Sequence, residues 1–217
     1  MSIEELSGSE LGTKEFWERS YDREIRNYKN NGDVGEIWFD QDSQDRVISW
    51  ILKQDDIDAS HSVIDLGCGN GMLLLELGAE GFTKLLGVDY SPKAVELANN
   101  IAKDNKVNIK YSVLDLLDTE AAQEFGEFDI VHDKGTYDAI SLNPDCPKEK
   151  REAYIKSVNH LLKKEGVFII TSCNWTEEEL VAGFEGTFKK TGHIPTPTFK
   201  FGGKVGSAVT SLIFKKI

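Results

Sequence analysis

Short apolar runs and amphipathic helical stretches alternate along the chain after residue 60. Each run has the length of a strand and ends at a turn or a polar residue, whereas the stretches between the runs place apolar residues on one helical face. The pattern predicts strands at 62–67, 84–89, 108–113, 127–133 and 166–172 and helices at 71–80, 91–104, 119–125, 148–163 and 177–184. Strands that alternate with helices in this way indicate a parallel sheet with crossover helices.

The C-terminal part has a different pattern. Thr198–Phe201 and Ala208–Phe214 are predicted strands, and Gly202-Gly203-Lys204 between them is a glycine-rich loop. Two strands joined by so short a loop pair in the antiparallel sense. We therefore expect an antiparallel hairpin to close a mostly parallel sheet.

The segment ahead of the sheet is predicted to be a helical cap. Lys14–Asn31 carries an aromatic stripe at helical spacing, which packing explains most simply. Gln44–Gln54 is predicted as a second helix and residues 32–39 as a structured loop. Since no repeat or flexible linker interrupts the chain, we predict one domain over 1–217, with a disordered tail at 1–12, a cap at 13–58 and an α/β core at 59–217.

Charge and cysteine content narrow the function. The formal net charge is −12, and because nucleic acids are bound mainly through Lys and Arg, a basic protein or an amine is the more natural substrate. Cys68, Cys146 and Cys173 have neither metal-ligand spacing nor the even number of a disulfide framework. Residues 1–12 lack signal-peptide features, and no apolar run is long enough to span a bilayer. We expect an intracellular protein with reduced thiols and no metal.

The most informative motif ends an apolar run in Asp65 and continues with Gly67, Gly69 and Gly71. It predicts a strand that turns tightly into a helix around a nucleotide-like cofactor, because glycine allows positive φ and lets a ligand approach the backbone. Asp89 ends the next predicted strand. A carboxylate at that position is placed to bind a ribose diol.

The chemistry of this motif favours S-adenosylmethionine over a dinucleotide. A dinucleotide fold uses G-x-G-x-x-G, but position 72 is Met72 and the third glycine comes one residue early. The carboxylate of Asp65 would repel a pyrophosphate, whereas it would attract the amino group and the sulfonium of S-adenosylmethionine. An oxidoreductase that binds NAD stays open as an alternative.

Residues that follow the strands are the further candidates, because ligands of open parallel sheets lie beyond the carboxyl ends of the strands. Tyr90 adjoins Asp89 and is assigned to the cofactor with it. Asp115 and Leu116 follow the third strand and suit the amino group and the ring of an adenine. Asp133, at the end of the fourth strand, is a candidate for contact with both the cofactor and the methyl acceptor.

Several segments together resemble one enzyme family, the elongation factor 1-alpha lysine methyltransferases. The segments are Asp65–Gly71, Val34–Phe39, Asp133–Thr136 and Asp138–Ile140, and the similarity extends from about Lys14 to Lys216. The resemblance implies a Rossmann-like seven-stranded methyltransferase sheet with helices on both faces. It also implies S-adenosylmethionine as the cofactor and a lysine of translation elongation factor 1-alpha as the substrate.

Methyl transfer to lysine requires an amine with a free lone pair. Asp133 is the candidate to hold the lysine nitrogen, and Trp38, or Phe39 beside it, would form an apolar wall around the lysine stem. Tyr137 is also assigned to the catalytic group. Because the family has an apolar residue at this position, the resemblance implies no aromatic role for Tyr137. We expect Lys134 to neutralise a neighbouring acid.

Other functions would use part of the same predicted site. A small-molecule amine methyltransferase would use the same cofactor residues, but the long charged N-terminal cap favours a protein substrate. A non-catalytic protein of the same fold is disfavoured because each expected cofactor position holds a competent residue. His132 is expected to be a strand residue and not a base. We further expect a monomer that binds neither nucleic acid nor membrane and lies in the cytoplasm, with the nucleus open as a second location.

Overall fold

The computed structural model describes residues 5–201 and 204–217. The strands are β1 (Ser62–Leu66), β2 (Lys84–Asp89), β3 (Lys110–Val113), β4 (Phe128–Lys134), β5 (Leu162–Ser172), β6 (Phe188–His193), β7 (Thr198–Phe201), β8 (Lys204–Ser207) and β9 (Thr210–Lys216). Seven of them form one sheet in the order β3-β2-β1-β4-β5-β9-β6, and β7 and β8 form a separate two-stranded ribbon.

Within the described residues, eight α-helices connect and cover these strands. They are α1 (Lys14–Asn31), α2 (Gln41–Leu52), α3 (Met72–Ala79), α4 (Pro92–Asp104), α5 (Thr119–Gln123), α6 (Thr136–Ser141), α7 (Pro147–Leu161) and α8 (Glu177–Gly183). The strands β1 to β5 pair only in the parallel sense with each other. The predicted α/β sheet with crossover helices is confirmed.

The sheet closes with an antiparallel pair, but one of its two strands differs from the prediction. β9 runs antiparallel to β5 and to β6, whereas β7, predicted to belong to the sheet, pairs with β8. β6 was missed because its sequence, FKKTGH, is mostly polar, as an edge strand with one neighbour can be. The predicted glycine loop at Gly202-Gly203 lies outside the described residues.

Both faces of the sheet are buried, and neighbouring strand residues contribute to opposite faces. Ile64 belongs to a core cluster with α7 and α8, while the adjacent Val63 belongs to a cluster with α2 and α3. This three-layer packing explains why the central strands read as continuous apolar runs.

The N-terminal cap packs across α4 through Tyr21 and Ile25 of α1. Residues 5–12 differ from the predicted disordered tail. Glu5 accepts hydrogen bonds of 3.0 and 2.6 Å from both terminal nitrogens of Arg151, and the Ser9 N–H donates to the Leu142 carbonyl at 2.9 Å. Over the part of the chain that the structure describes, none of the helices has both the length and the apolar character needed to cross a bilayer.

Candidate active site

A cleft opens at the carboxyl ends of the central strands, between the sheet and the N-terminal cap. Its walls come from residues far apart in the sequence. Among them are Leu11, Gly12, Trp17, Tyr21, Glu36, Trp38, Phe39, Gly67, Cys68, Gly69, Asp89, Tyr90, Leu114, Asp115, Leu116, Lys134, Thr136, Asp138, Asn143, Lys150, Cys173 and Asn174. The cleft therefore contains much of the predicted cofactor site together with groups from the cap.

The turn after β1 needs glycine for steric reasons. Gly67 has φ of 67°, and a Cβ at this position would lie 2.0 Å from Thr136 Oγ1. The Thr136 hydroxyl donates to the Leu66 carbonyl at 2.7 Å, so it cannot move aside without losing that bond. Gly69, with φ of 53°, donates its N–H to Asp89 Oδ2 at 3.1 Å. A ligand in the cleft can thus approach bare backbone.

Asp89 is held rigidly at the floor of the cleft. Besides the bond from Gly69, its Oδ1 accepts the Ser91 N–H at 2.9 Å, and the residue is 4% exposed. Burial raises the pKa of the Asp89 carboxyl to about 6, and the two backbone N–H groups partly oppose that shift. A carboxylate offers about four acceptor positions, so the ionised group can still accept bonds from a ribose diol.

An apolar wall with an exposed acid follows β3. Leu114 and Leu116 are buried and line the cleft, and Asp115 between them is exposed. Asp115 Oδ1 accepts the Leu117 N–H at 2.9 Å, which fixes the carboxylate beside the two leucines. Tyr90 lines the same region, and its hydroxyl lies 3.5 Å from the Thr13 carbonyl of the cap. These residues fit an adenosyl group.

The structure does not place Asp65 or Gly71 on the cleft, in contrast to the prediction. Asp65 is 5% exposed, and its Oδ1 lies 2.7 Å from Nδ1 of His132 on the neighbouring strand. It therefore links β1 to β4. Gly71, with φ of 75°, precedes α3, and a Cβ there would lie 2.4 Å from the Tyr111 hydroxyl. Its role is to leave room for that ring. His132 is a strand residue.

The structure also corrects the predictions for Asp133 and Tyr137. Asp133 is fully buried; its Oδ1 accepts the Thr136 N–H at 3.0 Å, and its Oδ2 accepts the Tyr137 N–H at 3.0 Å and the Tyr154 hydroxyl. These bonds satisfy the first turn of α6 and turn the carboxylate away from the cleft. The Tyr137 ring packs 5.1 Å from that of Phe184 in the core. We assign neither residue a direct contact with substrate.

Several groups that line the cleft were not predicted from the sequence. Cys173 and Asn174 directly follow β5, so the rule about the carboxyl ends of strands, applied to β5, would have found them. No local pattern indicated Asn143, which accepts a 2.6 Å bond from Lys150 and donates a 2.6 Å bond to the Gly12 carbonyl. Through Asn143, these bonds hold Gly12 of the N-terminal segment at the mouth of the cleft.

The part of the cleft predicted to receive the methyl acceptor combines aromatic rings with polar groups. Trp38 meets Trp17 edge to face at 4.9 Å, and Phe39 lines the cleft beside it. Asp138 accepts the Ser172 hydroxyl at 2.5 Å and the Cys173 N–H at 2.8 Å, and burial raises the pKa of its carboxyl. Within residues 5–201 and 204–217, no group of three or more His, Cys, Asp or Glu side chains could hold a metal ion.

Three buried carboxyl groups lead us to expect that stability rises as the pH falls. Burial raises the pKa of Glu24 and of Asp133 to about 7 and that of Asp89 to about 6. Between these values and the lower pKa values of the unfolded chain, the folded protein binds more protons. The free energy of unfolding should therefore increase by about 2 kcal/mol or more from pH 8 to pH 5.

Urea unfolding at pH 8, 7, 6 and 5 measures this effect. Glu24→Gln removes one of the three groups and should flatten the profile. A free energy of unfolding that stays constant or falls over this range would show that these carboxyl groups are already ionised in the folded protein.

The seven-stranded sheet, the glycine turn after β1 and the acid that ends β2 define a methyltransferase that uses S-adenosylmethionine. A family model described as "Methyltransferase domain" matches residues 57–203. A solved S-adenosylmethionine-dependent methyltransferase from Anabaena variabilis superposes with a TM-score of 0.69 at 19% identity, over 100% of this chain and 99% of that one. The fold and cofactor predictions are thereby confirmed.

Curated relatives identify the family more closely. The chain is 46% identical to human "EEF1A lysine methyltransferase 2", over 96% of this chain and 88% of the relative. It is 40% identical to "Protein-lysine N-methyltransferase EFM4" of Saccharomyces cerevisiae, over 98% of this chain and 97% of the relative. The chain belongs to this family of protein-lysine methyltransferases, as the resemblance of its motifs predicted.

Proposed function

We propose that the protein transfers methyl groups from S-adenosylmethionine to a lysine of translation elongation factor 1-alpha. The observation that carries this proposal is the similarity, over nearly the full length of both chains, to relatives named for that reaction. The cleft supports it, because the candidate cofactor residues and an aromatic wall line one continuous space.

The acceptor amine must lose its proton before it can attack. At pH 7 deprotonating a lysine with a pKa near 10.4 costs about 4.6 kcal/mol. Trp38 and Phe39 lower this cost by excluding water from the ammonium group, since burial disfavours its charged form. Asp138 and Asn174 are the candidates to orient the nitrogen, in place of Asp133. When bound, S-adenosylmethionine supplies an electrophilic methyl group, and most of the remaining catalysis is alignment.

Labelled S-adenosylmethionine tests the substrate directly. The parent protein is incubated with purified elongation factor 1-alpha, with free lysine and with small amine metabolites, and Asp89→Ala serves as the inactive control. We expect label on the elongation factor. Faster labelling of a free amine would replace the proposal with the small-molecule methyltransferase.

Charge and contact should affect this reaction differently. The net charge of −12 should attract a basic face of the elongation factor, and that attraction is screened over about 8 Å at physiological salt. Raising the salt concentration should slow methylation at subsaturating substrate and leave the saturated rate nearly constant. Trp38→Ala should lower activity about tenfold at every salt concentration without changing the slope.

Trp50→Ala is the matched control for this experiment. Trp50 lies on α2 and packs against the core on the face shared with α3, away from the residues that line the cleft. Its loss should reduce stability and leave the salt slope and the specific activity unchanged. Indifference of the reaction to both salt and Trp38 would contradict the protein-substrate proposal.

The proposal includes where and in what form the protein works. We propose a monomer in the cytoplasm, with the nucleus as a second location, that does not bind nucleic acid directly. Light scattering on the purified protein, fractionation of cells and a binding assay with RNA test these three points separately.

A further inference from the structure

The two segments that resemble the lysine methyltransferases most specifically are in direct contact. We call Val34–Phe39, which precedes α2, the Trp38 loop. Lys134, the last residue of β4, donates from Nζ to the Trp38 carbonyl at 2.8 Å. Lys134 is half-buried and also lines the cleft. It binds the main chain of the loop, whereas it was predicted to neutralise a neighbouring acid.

Gly135 provides a second contact with the same loop. Its φ is 88°, and a Cβ at this position would lie 3.0 Å from the tip of the Phe39 ring. The ring thus rests on bare backbone directly after Lys134. Even alanine would have to displace the ring slightly and would be strained at this φ.

The backbone of the Trp38 loop is strained where it enters α2. Phe39 and Asp40 have φ of 62° and 69°, a region that costs about 1–3 kcal/mol for each non-glycine residue. Contacts around the loop must offset this cost. One of them is local, because Asp40 Oδ1 accepts the Ser43 N–H at 2.7 Å and begins the helix.

The other end of the loop is attached to the cofactor turn. Asn70 lies within the glycine motif, is 8% exposed, and donates from Nδ2 to the carbonyls of Val34 and Glu36 at 3.1 and 3.2 Å. Asn70 and Lys134 therefore hold the two ends of the Trp38 loop against the cofactor side of the cleft.

We propose that Lys134 is a positioning residue of the methyl transfer, which fixes the Trp38 loop so that Trp38 and Phe39 guide the acceptor toward the cofactor. Asn70 and Gly135 support the same arrangement. The inference rests on the proposed function, because it assigns the acceptor to the aromatic side of the cleft. Lys134 itself takes no part in the chemical step, since its ammonium group is used to bind a carbonyl.

A double-mutant cycle tests this role. Lys134→Met keeps the aliphatic stem and removes the donor, and it should lower kcat/KM for the elongation factor about tenfold, while the Kd for S-adenosylmethionine changes less than about twofold. Lys134→Arg, which retains a donor, should recover part of the loss. If Lys134 acts through the loop, the loss in Lys134→Met combined with Trp38→Ala should be smaller than the product of the two single losses. Additive losses would overturn the proposal.

Lys163→Met is the matched control. Lys163 lies on β5 and forms a 2.9 Å ion pair with Asp129 at the opposite end of the sheet. This variant should leave the kinetics of both substrates unchanged. A loss of activity equal to that of Lys134→Met would indicate a general effect of removing a lysine and would contradict a positioning role.

Hydrogen exchange provides a readout that does not depend on the substrate. In Lys134→Met the amides of residues 34–40 should exchange at least about tenfold faster, and those of β1 and β4 should not. Unchanged exchange in the loop would overturn the inference. If the parent protein proves inactive on the elongation factor, the proposed function fails, and the cycle is run with whichever amine accepts label. A parent inactive on every acceptor overturns both.

Discussion

Asp89→Ala should weaken the binding of S-adenosylmethionine by about 150-fold or more, equivalent to about 3 kcal/mol. The carboxylate is buried on the cleft floor, where backbone N–H groups hold both oxygens. Alanine has no side-chain acceptor, so the bonds of the carboxylate to a ribose diol would be lost. Isothermal titration calorimetry measures the change.

Asp118→Ala is the control for this substitution. Asp118 follows β3 and caps α5, where its Oδ1 accepts the Ala121 N–H at 3.0 Å. Its loss should leave the affinity for S-adenosylmethionine unchanged. An unchanged affinity in Asp89→Ala, or tighter binding of NAD than of S-adenosylmethionine by the parent, would refute the assignment of the cofactor site.

The affinity for S-adenosylmethionine should also depend on pH. Because burial raises the pKa of Asp89 to about 6, most of this carboxyl is neutral at pH 5 in the free protein. If only the carboxylate accepts the ribose bonds, the Kd should rise about tenfold between pH 7 and pH 5. This dependence should vanish in Asp89→Ala.

Asp133→Ala should lower the free energy of unfolding by about 3 kcal/mol or more. The substitution leaves the partly buried Thr136 N–H, the buried Tyr137 N–H and the buried Tyr154 hydroxyl without their common acceptor. For a chain of this size the melting temperature should fall by roughly 10 °C. Urea and thermal unfolding measure both values.

Asp133→Asn removes the charge of the side chain and keeps its shape. An amide has one oxygen where the carboxylate has two, so its NH2 group would face one of the N–H donors of α6, and we expect a loss of about 2 kcal/mol. Asp118→Asn, at the exposed start of α5, should cost less than about 1 kcal/mol. An Asp133→Asn variant with parental stability and reduced turnover would show that Asp133 takes part in the reaction.

Local sequence determined the framework of the cofactor site. Gly67 and Asp89 could be assigned because each follows directly from an apolar run, and the carboxyl ends of parallel strands meet at one edge of the sheet. The same reasoning located Asp115 and Leu116 on the cleft. It depends only on where each strand ends along the chain and on residue type, both of which are local properties.

Tertiary packing decided which way the remaining groups turn. Asp133 and Lys134 are adjacent on β4, and since strand side chains alternate, only one can face the aromatic loop. The choice depends on α6, whose N–H groups bind Asp133, and on the Trp38 carbonyl, which binds Lys134. Partners 96 residues apart in sequence leave no periodic signal, because their contact arises only when the cap packs on the sheet.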